Sequence, residues 1–110
     1  MNVEDIRQYA IQMPLVTEGF PFGEDTLVFK VNGKVFLLLA LDASPVQFNV
    51  KCDPEKAIEL RETYPETVLP GYHMNKKHWN TVVVDGTLSN KQLKEMIEHS
   101  YGLVNGAKKK

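Results

Sequence analysis

The sequence has a single cysteine, Cys52, so it can close no disulfide within the chain and must rely on its core for stability. That suits a reducing compartment, and a lone thiol beside a strand reads first as a small buried hydrophobe, with a nucleophile as the alternative. No apolar run approaches the roughly 20 residues of a membrane span. The start, Met1-Asn2-Val3-Glu4-Asp5, lacks the basic residues of a secretory signal. A cytoplasmic location without membrane contact is the expectation. Excess positive charge is missing too: 13 Lys and Arg against 14 Asp and Glu leave a net charge of −1. No whole-molecule field therefore draws nucleic acid, and any such binding needs a local patch. Repeats and linkers are absent, and 110 residues fit one domain, 1–110, with a basic tail from about 106.

What is present reads as alternating elements. Val3, Ile6, Ala10 and Met13 share one face of a helix that Pro14 ends. Leu15 to Asp25, including Gly19-Phe20-Pro21-Phe22-Gly23, reads as an ordered loop whose Phe20 and Phe22 belong to the core or a lid, with ligand stacking as the alternative. Thr26 to Val31 and Lys34 to Leu41 are strands joined by Asn32-Gly33, the dipeptide of a type I′ turn. Val46 to Lys51 alternates as a strand with one wet face. Asp53-Pro54 starts a helix that runs to Pro65, as a capping residue followed by a proline at the first helical position. A last strand covers Trp79 to Val84, and Ser89 with Gln92 opens a final helix striped by Leu93, Met96, Ile97, Tyr101 and Val104. Antiparallel strands in runs, with helices between, predict an α+β two-layer sandwich: an antiparallel sheet of about five strands with the helices on one face.

The densest stretch is Pro70 to Asn80, which holds the only tryptophan, two of the three histidines and two adjacent lysines. Tyr72 to Trp79 reads as strand, tight turn, strand, with Asn75, Lys76 and Lys77 at the tip. Basic side chains on a turn can reach phosphates, and His78 and Trp79 can stack or hydrogen-bond. Solvated lysines are the alternative of equal weight. Lys30 and Lys34 flank the Asn32-Gly33 turn, giving a second basic hairpin, while Glu24, Asp25, Asp42 and Asp53 fall in the same half of the chain and dilute its field. His73, His78, His99 and Cys52 show no ligand spacing of a known metal site, and no third group orients a Cys52–histidine dyad. No catalytic residue, metal ligand or cofactor is assigned. His99 falls off the apolar stripe, at the surface or its boundary.

Phe20-Pro21-Phe22-Gly23 before Thr26-Leu27-Val28-Phe29-Lys30, Lys51-Cys52-Asp53-Pro54, the stretch Pro70 to Asn80, and His99-Ser100-Tyr101 together resemble the MmcQ/YjbR family. The resemblance covers nearly the whole chain, with Pro70 to Asn80 its specific part. It implies a frataxin-like (CyaY-like) fold and a proposed double-wing mode of DNA binding, in which two hairpins flank the duplex. Placed on this chain, the wings are Lys30 to Lys34 and Asn75 to His78.

Three readings follow. The leading one is weak, non-specific binding of double-stranded DNA by a monomer through Lys30, Lys34, Asn75, Lys76, Lys77 and His78. The second is a pocket of Phe20, Phe22, Tyr72, His73, His78 and Trp79 for a small anionic ligand. The third is an interaction module in which these residues hold the fold, with Trp79 and Tyr72 as core.

Overall fold

The computed structural model describes residues 1–71 and 74–105. Three helices and six strands alternate in the order α1 (Val3–Ile11), β1 (Val16–Gly19), β2 (Thr26–Val31), β3 (Lys34–Ala40), β4 (Val46–Lys51), α2 (Pro54–Thr63), β5 (Val68–Pro70), β6 (Trp79–Val84) and α3 (Asn90–Asn105). The strands form one antiparallel sheet ordered β1-β2-β3-β4-β6-β5. The expected two-layer α+β sandwich is what the chain forms, with one strand more than about five. The additional pairing is at the edges. Val16–Gly19, expected as loop, pairs with β2, and the three-residue β5 pairs with β6.

Each helix begins where its capping chemistry permits. At α1 the Asn2 side chain accepts from the Asp5 N–H while Asp5 accepts from the Asn2 N–H. At α2 Asp53 accepts from the N–H groups of Glu55 and Lys56, with Pro54 opening the helix. Ahead of α3, the Ser89 N–H donates to Gln92 Oε1 at 2.8 Å and the Gln92 N–H donates to Ser89 Oγ at 3.1 Å. The capping box expected from Ser89 and Gln92 is therefore formed.

Strand alternation sends Leu27, Phe29, Leu37, Leu39, Phe48, Val50, Val68 and Val82 to the helical side, where Ile6, Ala10, Leu93, Ile97 and Val104 meet them in one core. The ladder slips between Phe29 and Lys30, because Phe29 faces Leu37 while Lys30 faces Val35. Phe36 is the extra residue of this bulge, and it and Leu37 both enter the core. A bulge leaves main-chain groups without ladder partners, and α3 supplies one. The fully buried Ser100 Oγ donates to the Phe36 carbonyl at 2.6 Å and accepts from the Lys51 N–H at 2.9 Å. Tyr101 stands edge-on to the Phe36 ring, centroids 5.5 Å apart, and its hydroxyl donates to the Pro14 carbonyl.

Val28 and Leu38 point to the other face of the sheet, over which no helix of the described residues packs, together with Asn49 and Thr81, whose side chains hydrogen-bond across the strands. No helix among the described residues is long and apolar enough to cross a membrane.

Candidate functional site

The ladder registers decide which turns share an end of the sheet. Val31 pairs with Lys34, Lys51 with Trp79, and Pro70 with Asn80. The Asn32-Gly33 turn, the Cys52-Asp53 junction and the loop 71–78 therefore gather at one end. At the other end lie the loop 20–25, the turn after β3 and the turn after β6, because Thr26 pairs with Ala40, Ala40 with Gln47 and Gln47 with Val83.

This sorts the charges. The first end carries Lys30, Lys34, Lys51, Lys76 and Lys77, and the one carboxylate in its turns is Asp53, which is engaged in capping α2. The turns of the opposite end carry Glu24, Asp25, Asp42 and Asp85 and no lysine or arginine. The expectation that Glu24, Asp25 and Asp42 dilute the lysine field is corrected here. They share half of the sequence with Lys30 and Lys34 but lie a strand's length away. A strand of six residues spans about 20 Å, more than twice the screening length of about 8 Å at physiological salt. Asp85 is held below the ordinary carboxylate range by the N–H and side chain of Thr87, so it stays anionic.

Both basic tips are fixed in shape. Asn32 and Gly33 take φ of 54° and 78°, the left-handed pair that a type I′ turn requires, and Asn32 Nδ2 donates to the Asn105 side chain at 2.7 Å. That contact puts the last turn of α3 at this end, and three lysines follow Asn105 within five residues of sequence. In the second tip Asn75 is the organiser. Its carbonyl accepts from the N–H groups of His78 and Trp79, and its Oδ1 accepts from the Lys77 N–H at 2.9 Å. Four further contacts moor this turn to the domain. The Cys52 N–H donates to the His78 carbonyl at 2.7 Å, and Arg61 donates to the carbonyls of Lys76 and Trp79 as well as to Asn80 Oδ1. Gly71 closes the base, where a Cβ would stand 2.8 Å from Trp79 Cβ. Of the tight hairpin expected across Tyr72 to Trp79, the described part has β5 ending at Pro70, a turn spanning Asn75 to Trp79 and β6 beginning at Trp79; Tyr72 and His73 lie outside the described residues. Asn75, Lys76 and Lys77 are exposed, as is Lys34, while Lys30 and His78 are half-buried.

The aromatic and histidine cluster does not assemble as expected. Phe20 and Phe22 are 51% and 69% exposed, so neither is core, and they sit at the acidic end of the opposite edge of the sheet from His78 and Trp79. Tyr72 and His73 lie outside the described residues. Trp79 is half-buried on the helix-free face opposite Lys51. No group of three or more His, Cys, Asp and Glu among the described residues is placed to hold a metal ion.

Cys52 and His99 meet instead in a cavity between α2, α3 and strands β4 and β6. Burial pushes the Cys52 thiol up, partly offset by Lys56, so the group stays protonated near neutrality. His99 Nε2 accepts from the Asp53 N–H at 3.2 Å. Burial, then Lys56, lowers the His99 pKa and keeps the ring neutral. The cavity gathers residues from four elements, so no local pattern marked it.

The architecture is that of a small two-layer α+β protein with charge polarised along its strands. The YjbR family model matches residues 11–103, and the chain belongs to that family. It is 38% identical over 101 residues to the uncharacterised protein YbdF of Escherichia coli O157:H7, covering 92% of this chain and 82% of that one. It is 28% identical over 101 residues to the uncharacterised protein YjbR of E. coli K12, covering 92% and 85%. A crystal structure of a Deinococcus radiodurans protein, DR2400, with a DUF419 domain, superposes with a TM-score of 0.91 at 40% identity, over 96% of this chain and 80% of that one. A Pseudomonas syringae protein matches with a TM-score of 0.77 at 28% identity, over 94% and 99%.

Proposed function

We propose that the chain binds double-stranded DNA weakly and without sequence preference, through the phosphate backbone, using the two lysine-tipped turns as prongs. The observation that carries this reading is that both turns project from the same end of one rigid sheet. Three strand spacings separate them, about 14 Å. That is close to the roughly 12 Å width of the major groove, so each prong can meet the phosphates of one bounding strand. Lys30 and Lys34 serve the first prong, and Lys76 and Lys77, with Asn75 and His78 beside them, the second. Lysine ammonium groups at turn tips are point charges suited to phosphates, so contacts fall on the backbone.

With four to six such contacts, Kd lies at roughly 10⁻⁴ to 10⁻⁶ M and rises steeply with salt. Fluorescence anisotropy of a labelled generic duplex at low and moderate salt tests this. Lys76→Ala/Lys77→Ala is expected to weaken binding about tenfold and to lower the log–log salt slope by about 2. A duplex that fails to bind at low salt, or binds the double variant equally well, overturns the reading.

A further inference from the structure

The cavity between α2 and α3 has a volume of about 120 Å³. A dry cavity of about 150 Å³ accommodates benzene, so the space is that of one aromatic ring or a branched chain of similar size. Val50, Leu60, Val82 and Met96 give it an apolar floor and walls.

The polar lining is rich in donors. Asn80, 1% exposed, has its Oδ1 occupied by Arg61 Nε at 2.7 Å, and its amide nitrogen has no acceptor among the described residues. No buried side-chain nitrogen or oxygen among the described residues lacks a partner, so this nitrogen is not an orphaned group but one open at the cavity lining, where it can donate to a ligand. Tyr64 accepts from Gln92 Nε2 at 3.2 Å, which leaves its hydroxyl proton to donate. His99 accepts at Nε2 from the Asp53 N–H, so its neutral ring carries the proton on Nδ1. Lys56 adds positive charge, against the one lining carboxylate, Glu95, on an exposed position of α3.

We propose that this cavity binds a small monocarboxylate with an apolar body of about one ring, its carboxylate met by Lys56 and the Asn80 amide and its body set against Val50, Leu60, Val82 and Met96. The site is separate from the lysine-tipped turns and stands whether or not the chain binds DNA. It replaces the anion pocket expected around Phe20 and Trp79 with one built from other residues.

The test is a titration of the ¹⁵N-labelled full chain with sodium benzoate and, in parallel, with uncharged benzyl alcohol, followed by NMR. Benzoate is expected to move the amide signals of Val50, Cys52, Asn80, Val82 and Met96 and to saturate them at about 1 mM or below, with benzyl alcohol about tenfold weaker. Lys56→Gln, an exposed substitution, is expected to weaken benzoate about fivefold and leave benzyl alcohol unchanged. Cavity signals that stay still up to about 10 mM benzoate, equal affinities for the two probes, or undiminished benzoate binding by Lys56→Gln each overturn the proposal.

Discussion

The two ends of the sheet are made of the same parts, short turns between antiparallel strands, yet one carries lysines and the other carboxylates. Charge here is arranged by topology rather than by composition. Each strand carries the chain from one end to the other, so neighbouring turns in sequence are opposite in space. Glu24 and Asp25 precede β2 and Lys34 follows it, which puts the two signs at opposite ends of one strand. A net charge of −1 conceals this completely. The ends differ in anchoring as well. Arg61, Cys52 and Asn105 brace the basic turns, whereas Phe20 and Phe22 at the acidic end are largely exposed.

The comparison breaks most severely where the basic end is tied to the core. Ser100→Ala leaves the Phe36 carbonyl and the Lys51 N–H without their partner, at roughly 1–3 kcal/mol for each buried group. Thermal melting is expected to fall by several degrees, and an unchanged midpoint would show that the bulge does not depend on α3. Gly71→Ala is next. It forces a Cβ against Trp79 and is expected to cost about 1–3 kcal/mol in denaturant unfolding. Because the clash lies at the base of the loop, it is expected also to disturb Lys76 and Lys77, so the proposed DNA binding should weaken together with stability.

A smaller effect concerns pH. His99 has a folded pKa below its ordinary 6.5, so the unfolded chain binds the proton more readily. The stabilisation is complete above about 6.5 and is lost as pH falls through the folded value. Urea unfolding from pH 7.5 to 5 should show this decline, and His99→Gln should flatten it; equal slopes would contradict the assignment.

Much of this fold was legible because its signals are local. Asn32-Gly33 between β-branched runs, Asp53-Pro54, and Ser89 with Gln92 each carry their own chemistry, and each appears where expected. The edge strands were not legible. Val16–Gly19 contains two polar residues and a glycine in four, and Val68–Pro70 is three residues long. Both are strands only because β2 and β6 offer them partners. The lysines of the candidate site were identifiable by type, but their sharing of one end follows from the register. Phe20 and Phe22 misled because large aromatics are usually buried, and the carboxylates because nearness in sequence stood in for nearness in space. His99-Ser100-Tyr101, part of the family resemblance, serves in the structure as three hydrogen-bonding anchors, to Asp53, to Phe36 with Lys51, and to Pro14.

The most direct test of a polarised sheet that meets DNA at one end is an NMR shift map of the ¹⁵N-labelled chain with a short generic duplex at low salt. The account predicts shifts at Lys30 to Lys34, Lys51 and Asn75 to Trp79, with Glu24, Asp25, Asp42 and Asp85 unmoved, and their reversal on adding salt. Shifts concentrated at the acidic end, or spread evenly over the molecule, would contradict it.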